Sequence, residues 1–272
     1  MATKQIDIQT KIDKPTQPIN IDNHANIDNS SKLDIQNQLD SHLPANAVYL
    51  FTDIETESLA GLLLLQIAAI SLAGHQFNVF INPFRPLPKS CTKLLGFYYN
   101  NKYLYRNGRR LYSTPITKAL YYFMKFIYNI RNPVVLVYHN GFAFDCSILA
   151  NYLIRFNIPL PPNLITVCDS LPFFRNHFKD NKTLENHKLG TLAKHYNIVH
   201  ELAHCAFSDS KVLMHICEKA RSQSNLTFQQ IFKNSFRKFT DYTERITEGK
   251  PLTPLIKEKR PKQTKSKDKT PK

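Results

Sequence analysis

Asp53 and Glu55 stand two residues apart in YLFTDIETES, Asp145 follows VYHNGFAF, and His204 and Asp209 stand five apart in HCAFSD. These three stretches offer four carboxylates and one imidazole, the ligand set and the base that metal-assisted phosphodiester hydrolysis needs. If Asp53 and Glu55 close a strand, period-two geometry puts both side chains on one face, aimed past the sheet edge. Carboxylates held that close raise each other's pKa unless a cation lies between them. All-oxygen ligation suits hard Mg²⁺ or Mn²⁺ better than zinc. A neutral imidazole at His204, with an ordinary pKa of ~6.5, can take a proton from water. Two metals about 4 Å apart would stabilise the attacking and departing oxygens of such a reaction. Spacing alone leaves a second reading open, an exposed acidic rim whose aspartates cap helices.

The positioning elements can be read outward from these stretches. Ala47–Thr52 is a β-rich run ending at Asp53, Leu64–Leu72 and Gln76–Ile81 are two more strands, and Ala73-Gly74 supplies the turn between them. Pro115 opens a helix over Ile116–Ile130. Val134–Tyr138 (VVLVY) has the near-continuous branched and aliphatic content of a buried strand, and it leads through His139-Asn140-Gly141 to a helix over Asp145–Phe156. A strand at Ile165–Cys168 is followed by Asp169-Ser170 as a cap. Helices follow at Lys188–Tyr196, Asp209–Ala220 and, with apolar residues at 226, 228, 231, 232, 236 and 239, Asn225–Phe239. Three strands first, then strands alternating with helices, predict a mixed sheet covered by helices.

Composition bounds the rest. The chain has 272 residues and a formal charge of +15. Residues 1–44 hold no Phe, Tyr or Trp and are rich in Asn, Asp and Gln, so they are expected to be a disordered low-complexity arm. Residues 241–272 are expected to be a basic disordered tail, with eight Lys/Arg from 257 onward against Glu258 and Asp268. That leaves one domain over 45–240. The positive balance suits a polyanionic partner, although a basic solvated surface has the same composition. Five scattered cysteines without a CxxC pair suit a reducing intracellular compartment. The tail is compatible with nuclear targeting or non-specific nucleic-acid contact and equally with a plain solvated tail in the cytoplasm. No secretory leader is expected from MATKQIDIQT, and LAGLLLLQIAAISLAG, broken by Gln66 and Ser71, reads as a buried strand rather than a membrane span.

Between the stretches, Tyr98–Tyr112 interleaves five tyrosines with Lys102, Arg106, Arg109 and Arg110. Such a segment is either a stacking platform for a nucleic-acid strand or a polar surface loop with partly buried tyrosines. His139, at the end of a strand, reads as a hydrogen-bonded structural histidine; the domain's other histidines, His200 among them, show no metal-ligand spacing, and Cys205 reads as a small loop or core residue.

In order and spacing the chain resembles the DnaQ-like, histidine-containing (DEDDh) 3′–5′ exonucleases, and most the three-prime repair exonuclease group. The first motif, Asp-x-Glu-Thr, is matched by Asp53-Ile54-Glu55-Thr56. The second is matched by His139-Asn140-Gly141-Phe142-Ala143-Phe144-Asp145, and the third by His204, Ala206 and Asp209. QIAAISL, FINPFRPLP and KLGTLAKHYNI between them are also similar, and the likeness runs from about Tyr49 to Ile216. It implies an α/β, ribonuclease H-like fold with a central mixed five-stranded sheet flanked by helices. It also implies that Asp53, Glu55, Asp145 and Asp209 bind two Mg²⁺ ions, with Mn²⁺ as a substitute, and that His204 is the general base. Thr56, Glu57, Ser58 and Leu59 would hold the terminal nucleotide, while His139 and Asn140 organise the second motif beside the substrate.

One departure stands out: the family usually places a small pair after Asp-x-Glu-Thr, where this chain has Glu57-Ser58. A glutamate there adds charge near a phosphate and predicts altered nucleotide preference or slower turnover. The expected activity is release of 5′-mononucleotides from single-stranded or frayed DNA 3′ ends. The alternatives are a 3′–5′ exoribonuclease and a weakly catalytic binding module that meets a protein partner, or a second copy, through its termini. No membrane partner is expected.

Overall fold

The computed structural model describes residues 43–249, apart from 59–62 and 181–183. Nearly all of the expected arm, the tail from 250 onward, and Leu59 lie outside the described residues.

Strand β1 (Val48–Thr56) pairs antiparallel with β2 (Leu64–Ile70), which pairs antiparallel with β3 (Gln76–Ile81). A short helix α1 (Lys89–Leu95) leads into a separate three-stranded sheet, β4 (Phe97–Tyr99), β5 (Leu104–Arg106) and β6 (Arg109–Arg110). The short strand β7 (Ser113–Thr114) returns to the main sheet, and α2 (Ile116–Asn129) crosses it to β8 (Val134–Tyr138). Next come α3 (Asp145–Arg155), β9 (Leu164–Asp169), α4 (Ser170–His177), α5 (Leu189–His195) and the long α6 (Ala206–Ser224). The described chain closes with α7 (Phe228–Ile231), β10 (Phe236–Arg237) and α8 (Thr240–Thr247). The main sheet has the order β10-β9-β8-β1-β2-β3-β7, with β8 parallel to both β1 and β9.

The mixed, helix-covered sheet is thus present, with seven strands rather than five. The two additions, β7 and β10, are edge pieces of two residues each, too short to show any alternation in sequence. The expected helix over Asn225–Phe239 is instead a short helix and a strand. Asn225 ends α6 in the left-handed conformation, Thr227 and Gln230 form a reciprocal capping box that starts α7, and Asn234 at φ 67° turns the chain so that Phe236 pairs with Cys168. Phe232, Phe236 and Phe239 still reach the core, which is why their spacing imitated a helical face. Packing also runs past residue 240, because Tyr242 of α8 is buried against the same core as α3. Among the described residues no helix is long and apolar enough to cross a membrane.

Alternation along β1 decides where the site lies. Leu50 and Ile54 face one core layer, built with α2 and α3; Phe51 faces the other, built with α4, α5 and α6. The same alternation turns Asp53 and Glu55 toward the α6 side. Neither carboxylate projects past the strand: β1 continues to Thr56, with Asp53 opposite Ala68 and Glu55 opposite Gln66. Continued pairing with β2 keeps both acids in a rigid ladder, a better platform for a site than a frayed strand end. A third apolar cluster of Leu65, Cys91, Leu95, Phe97 and Leu104 fastens α1 and the small sheet to β2.

Candidate active site

Oxygen atoms of Asp53, Glu55 and Asp209 all lie within 4.8 Å of one another, with Glu55 and Asp209 buried and Asp53 half-buried. Asp145, the first residue of α3, is buried and is outside that threesome. Among the neighbouring charges it is nevertheless the one acting most on Asp53, and it takes a hydrogen bond from the Ile54 backbone N–H, between the two β1 acids. The four predicted carboxylates therefore share one neighbourhood.

The electrostatics show what such a neighbourhood lacks. Burial, then the charges of Asp145, Glu55 and Asp209, hold Asp53 well above the usual carboxylate range. Burial and Asp209 push Glu55 up to about 8, against the opposing pull of Arg106. Burial raises Asp145 to about 7 in spite of its backbone hydrogen bonds. Asp209 is raised by burial too, with the His200 hydrogen bond pulling the other way. Four acids that resist ionising together offer a hard oxygen donor set that a divalent cation would suit.

The second stretch is set by Asp169, at the end of β9. Its carboxylate accepts backbone N–H groups from Asn140 at 2.8 Å, Phe142 at 3.1 Å and Leu171 at 2.9 Å. One side chain thus caps α4 and also clamps the turn before Asp145. Gly141 has no room for a side chain, since a Cβ there would lie 2.2 Å from the Cβ of Tyr138. His139 is fully engaged: Nε2 donates to the His187 carbonyl at 2.7 Å, so in the neutral ring Nδ1 accepts from Ser170 Oγ at 2.8 Å. Burial lowers its pKa and favours that neutral form. Asn140 is exposed at φ 64°.

The third stretch has more supports than its spacing suggested. Asp209 lies in the first turn of α6 and accepts the His204 backbone N–H at 3.0 Å through Oδ2. Its Oδ1 meets His200 Nε2 at 2.5 Å. His204 occupies the turn before α6 at φ 63°, with an exposed side chain. Its carbonyl accepts Arg106 Nη2 at 2.8 Å. Fully buried Gln66, opposite Glu55 in the ladder, accepts the Ala206 N–H at 3.2 Å and donates to Asn78 at 2.9 Å. It ties the start of α6 to the strand beside the acids.

In the first stretch, Thr56 donates to the Ser58 carbonyl at 3.0 Å. Glu57 is 6 % exposed, and its Oε1 pairs with Arg85 at 2.6 Å. Its Oε2 is buried without a partner among the described residues. The charge expected to trouble a phosphate is therefore countered by an arginine that the motif pattern did not reveal. Gln66, Asp169, Arg106 and His200 were not read as site residues. Gln66 had a visible signal, as the polar residue interrupting the most apolar run; Arg106 was one of four basic residues in its segment, with nothing to single it out.

Residues 113–217 match a protein-family model, RNase_T, described as Exonuclease. The match takes in Asp145, His204 and Asp209, while Asp53 and Glu55 lie before it. No curated protein sequence matches the chain. Solved structures similar to this fold include a zinc-bound E. coli exonuclease I–single-stranded DNA complex, at 15 % identity and TM-score 0.55, covering 68 % of this chain and 42 % of that one. E. coli exonuclease I with a dA16 oligonucleotide has 15 % identity, TM-score 0.54 and the same coverages. A complex of exonuclease I described as ExoI/SSB-Ct has 14 % identity and TM-score 0.51, covering 69 % of this chain and 43 % of that one. The chain thus spans less than half the length of these proteins, and at such identities the likeness speaks for the fold alone. Over residues 113–217 the chain is thus similar to the RNase_T exonuclease family, and its fold is of the kind found in these exonuclease I structures.

Proposed function

We propose that the protein is a metal-dependent 3′–5′ exonuclease that releases 5′-mononucleotides from single-stranded or frayed DNA 3′ ends. The observation that carries this reading is the convergence of Asp53, Glu55 and Asp209 within 4.8 Å, with Asp145 beside Asp53. Asp53, Glu55, Asp145 and Asp209 would hold two Mg²⁺ ions, or Mn²⁺ in their place. When bound, such ions supply Lewis-acid stabilisation of charge on the phosphate and on both exchanging oxygens. His204 has an exposed imidazole on a backbone held at both its N–H and its carbonyl, so the ring can accept the proton of the attacking water. Thr56, Glu57, Ser58 and Leu59 follow the first acids along the chain and would seat the terminal nucleotide, with Arg85 neutralising Glu57. Asn140 would border the substrate, while His139 supports the turn that carries it. The similar exonuclease I structures with single-stranded DNA favour DNA over RNA.

A second reading, a weakly catalytic binding module, is favoured by one contact: His200 engages a carboxylate oxygen of Asp209, one of the proposed metal ligands. Labelled DNA and RNA oligonucleotides with free or blocked 3′ ends, incubated with Mg²⁺ or with chelator, separate the readings. The exonuclease shortens free 3′ ends in Mg²⁺ and releases mononucleotides. Binding without shortening assigns the module instead, and RNA degraded far faster than DNA reverses the substrate.

A further inference from the structure

We propose that Arg106 is a positioning residue that fastens the His204 backbone to the β4–β6 sheet, and so links a strand-binding face to the base. This inference rests on the exonuclease reading, in which His204 is the base.

Arg106 spends its fork on two carbonyls from different elements. Nε donates to Leu95 O at 3.1 Å, at the end of α1, and Nη2 donates to His204 O at 2.8 Å. Its guanidinium also lies 5.2 Å from the centroid of the Phe97 ring, which is fully buried and anchored in the third apolar cluster. Arginine suits this task because a planar fork makes two directed hydrogen bonds at once, whereas an ammonium is a point donor.

His204 is the residue that needs the help. It is a non-glycine residue in the left-handed region, a conformation that persists where surroundings over-determine it. Two tethers do so: Asp209 holds its N–H and Arg106 holds its carbonyl. The peptide is fixed at both ends and the imidazole stays free, the arrangement a base requires.

The other side of β5 points to what the link serves. Arg106 is opposite Phe97, and its neighbour Tyr105 is opposite Tyr98, so the two pairs lie on opposite faces of the small sheet. Tyr98 and Tyr105 stack with centroids 4.7 Å apart and planes 6° apart, and Tyr98 is exposed. On the adjoining strand β6, exposed Arg110 is opposite Tyr105 and so shares the tyrosine face, while exposed Arg109 is opposite Arg106 on the other. Aromatic faces beside exposed guanidiniums are what a single-stranded polynucleotide binds without sequence preference. One residue step along β5 therefore separates the candidate strand platform from the tether on the base.

Arg106→Met keeps the aliphatic stem over Phe97 and removes both donors; Arg106→Lys keeps the charge and loses the fork. Steady-state kinetics on a single-stranded oligonucleotide should show kcat falling roughly 10–100-fold in the Met variant, the scale of losing hydrogen bonds from a charged donor, with KM little changed. The Lys variant should recover only part of that loss. The His204 ring resonances of the metal-free protein should move in both variants, while those of distant His215 stay put. A Met variant with parental kcat, or one whose loss lies wholly in KM, overturns the proposal, and so does full recovery by lysine. If the parent itself does not cut, the exonuclease reading has failed, and unmoved His204 resonances would then overturn the tether independently.

Discussion

His204 and His200 both approach Asp209, by different routes: His204 through its backbone, His200 through its ring. The two substitutions should therefore part company. If His204 is the base, as proposed, His204→Ala removes the proton acceptor and should lower kcat on the order of 10²–10⁴-fold while metal binding, followed by calorimetric titration, is retained. His200→Ala releases a carboxylate oxygen and should leave metal binding as tight as in the parent or tighter. A His204→Ala enzyme with parental turnover would move the base elsewhere, and His200 is where to look first. Glu57 bears on the same scale. Its pairing with Arg85 predicts that Arg85→Ala impairs turnover more than Glu57→Gln does, because only the former leaves a nine-tenths-buried charge uncompensated. Comparing the two variants on one oligonucleotide decides it.

Among the elements, the turn from β8 into α3 is the least tolerant. A Gly141→Ala side chain would meet Tyr138, itself fully buried, so β8 or the turn must shift and Asp145 with it. Overpacking of that kind costs roughly 1–3 kcal/mol. Chemical denaturation should show at least that loss, accompanied by weaker metal binding. The elements also show what could be read before folding. β8 was legible because a fully buried parallel strand is continuously apolar, and all four acids were legible because their spacing is local to each stretch. β1 was read as ending at Thr52 because charged residues usually mark a strand's end, yet here they stay paired because β2 offers small Ala68 opposite Asp53. Phe228, Phe232, Phe236 and Phe239 fall at nearly helical intervals although capping and Asn234 split them between elements. Arg106, Gln66 and His200 acquire their roles only from partners about 100, 140 and 9 positions away, and no periodicity records such pairings.

For the whole molecule, the acidic cluster couples folding to pH. Glu55 and Asp145 are held near 8 and 7, against ordinary values of 4.5 and 3.8. Between those limits the folded, metal-free protein keeps protons that the unfolded chain has released. The stability these two groups contribute is fully present at acid pH, below their unfolded values, and is lost as the pH rises through 7 and 8. Divalent cations replace the protons, so metal should stabilise most at the alkaline end. Thermal unfolding in chelator should show Tm falling from about pH 6 to about pH 9, and Mg²⁺ or Mn²⁺ should abolish the fall. A flat chelator profile that coincides with the metal profile would contradict the shared site. A separate consequence follows from how the chain turns corners. With only 7 glycines in 272 residues, left-handed positions pass to asparagine at 101, 107, 140, 157, 197, 225 and 234. Asparagine amides are chemically perishable on heating, most of all before glycine, and Asn140-Gly141 places an exposed one at the mouth of the second acidic stretch. Prolonged warming should age this protein by covalent change at Asn140 before it unfolds, and peptide mass spectrometry of heat-treated samples would find the deamidated turn in step with lost metal affinity.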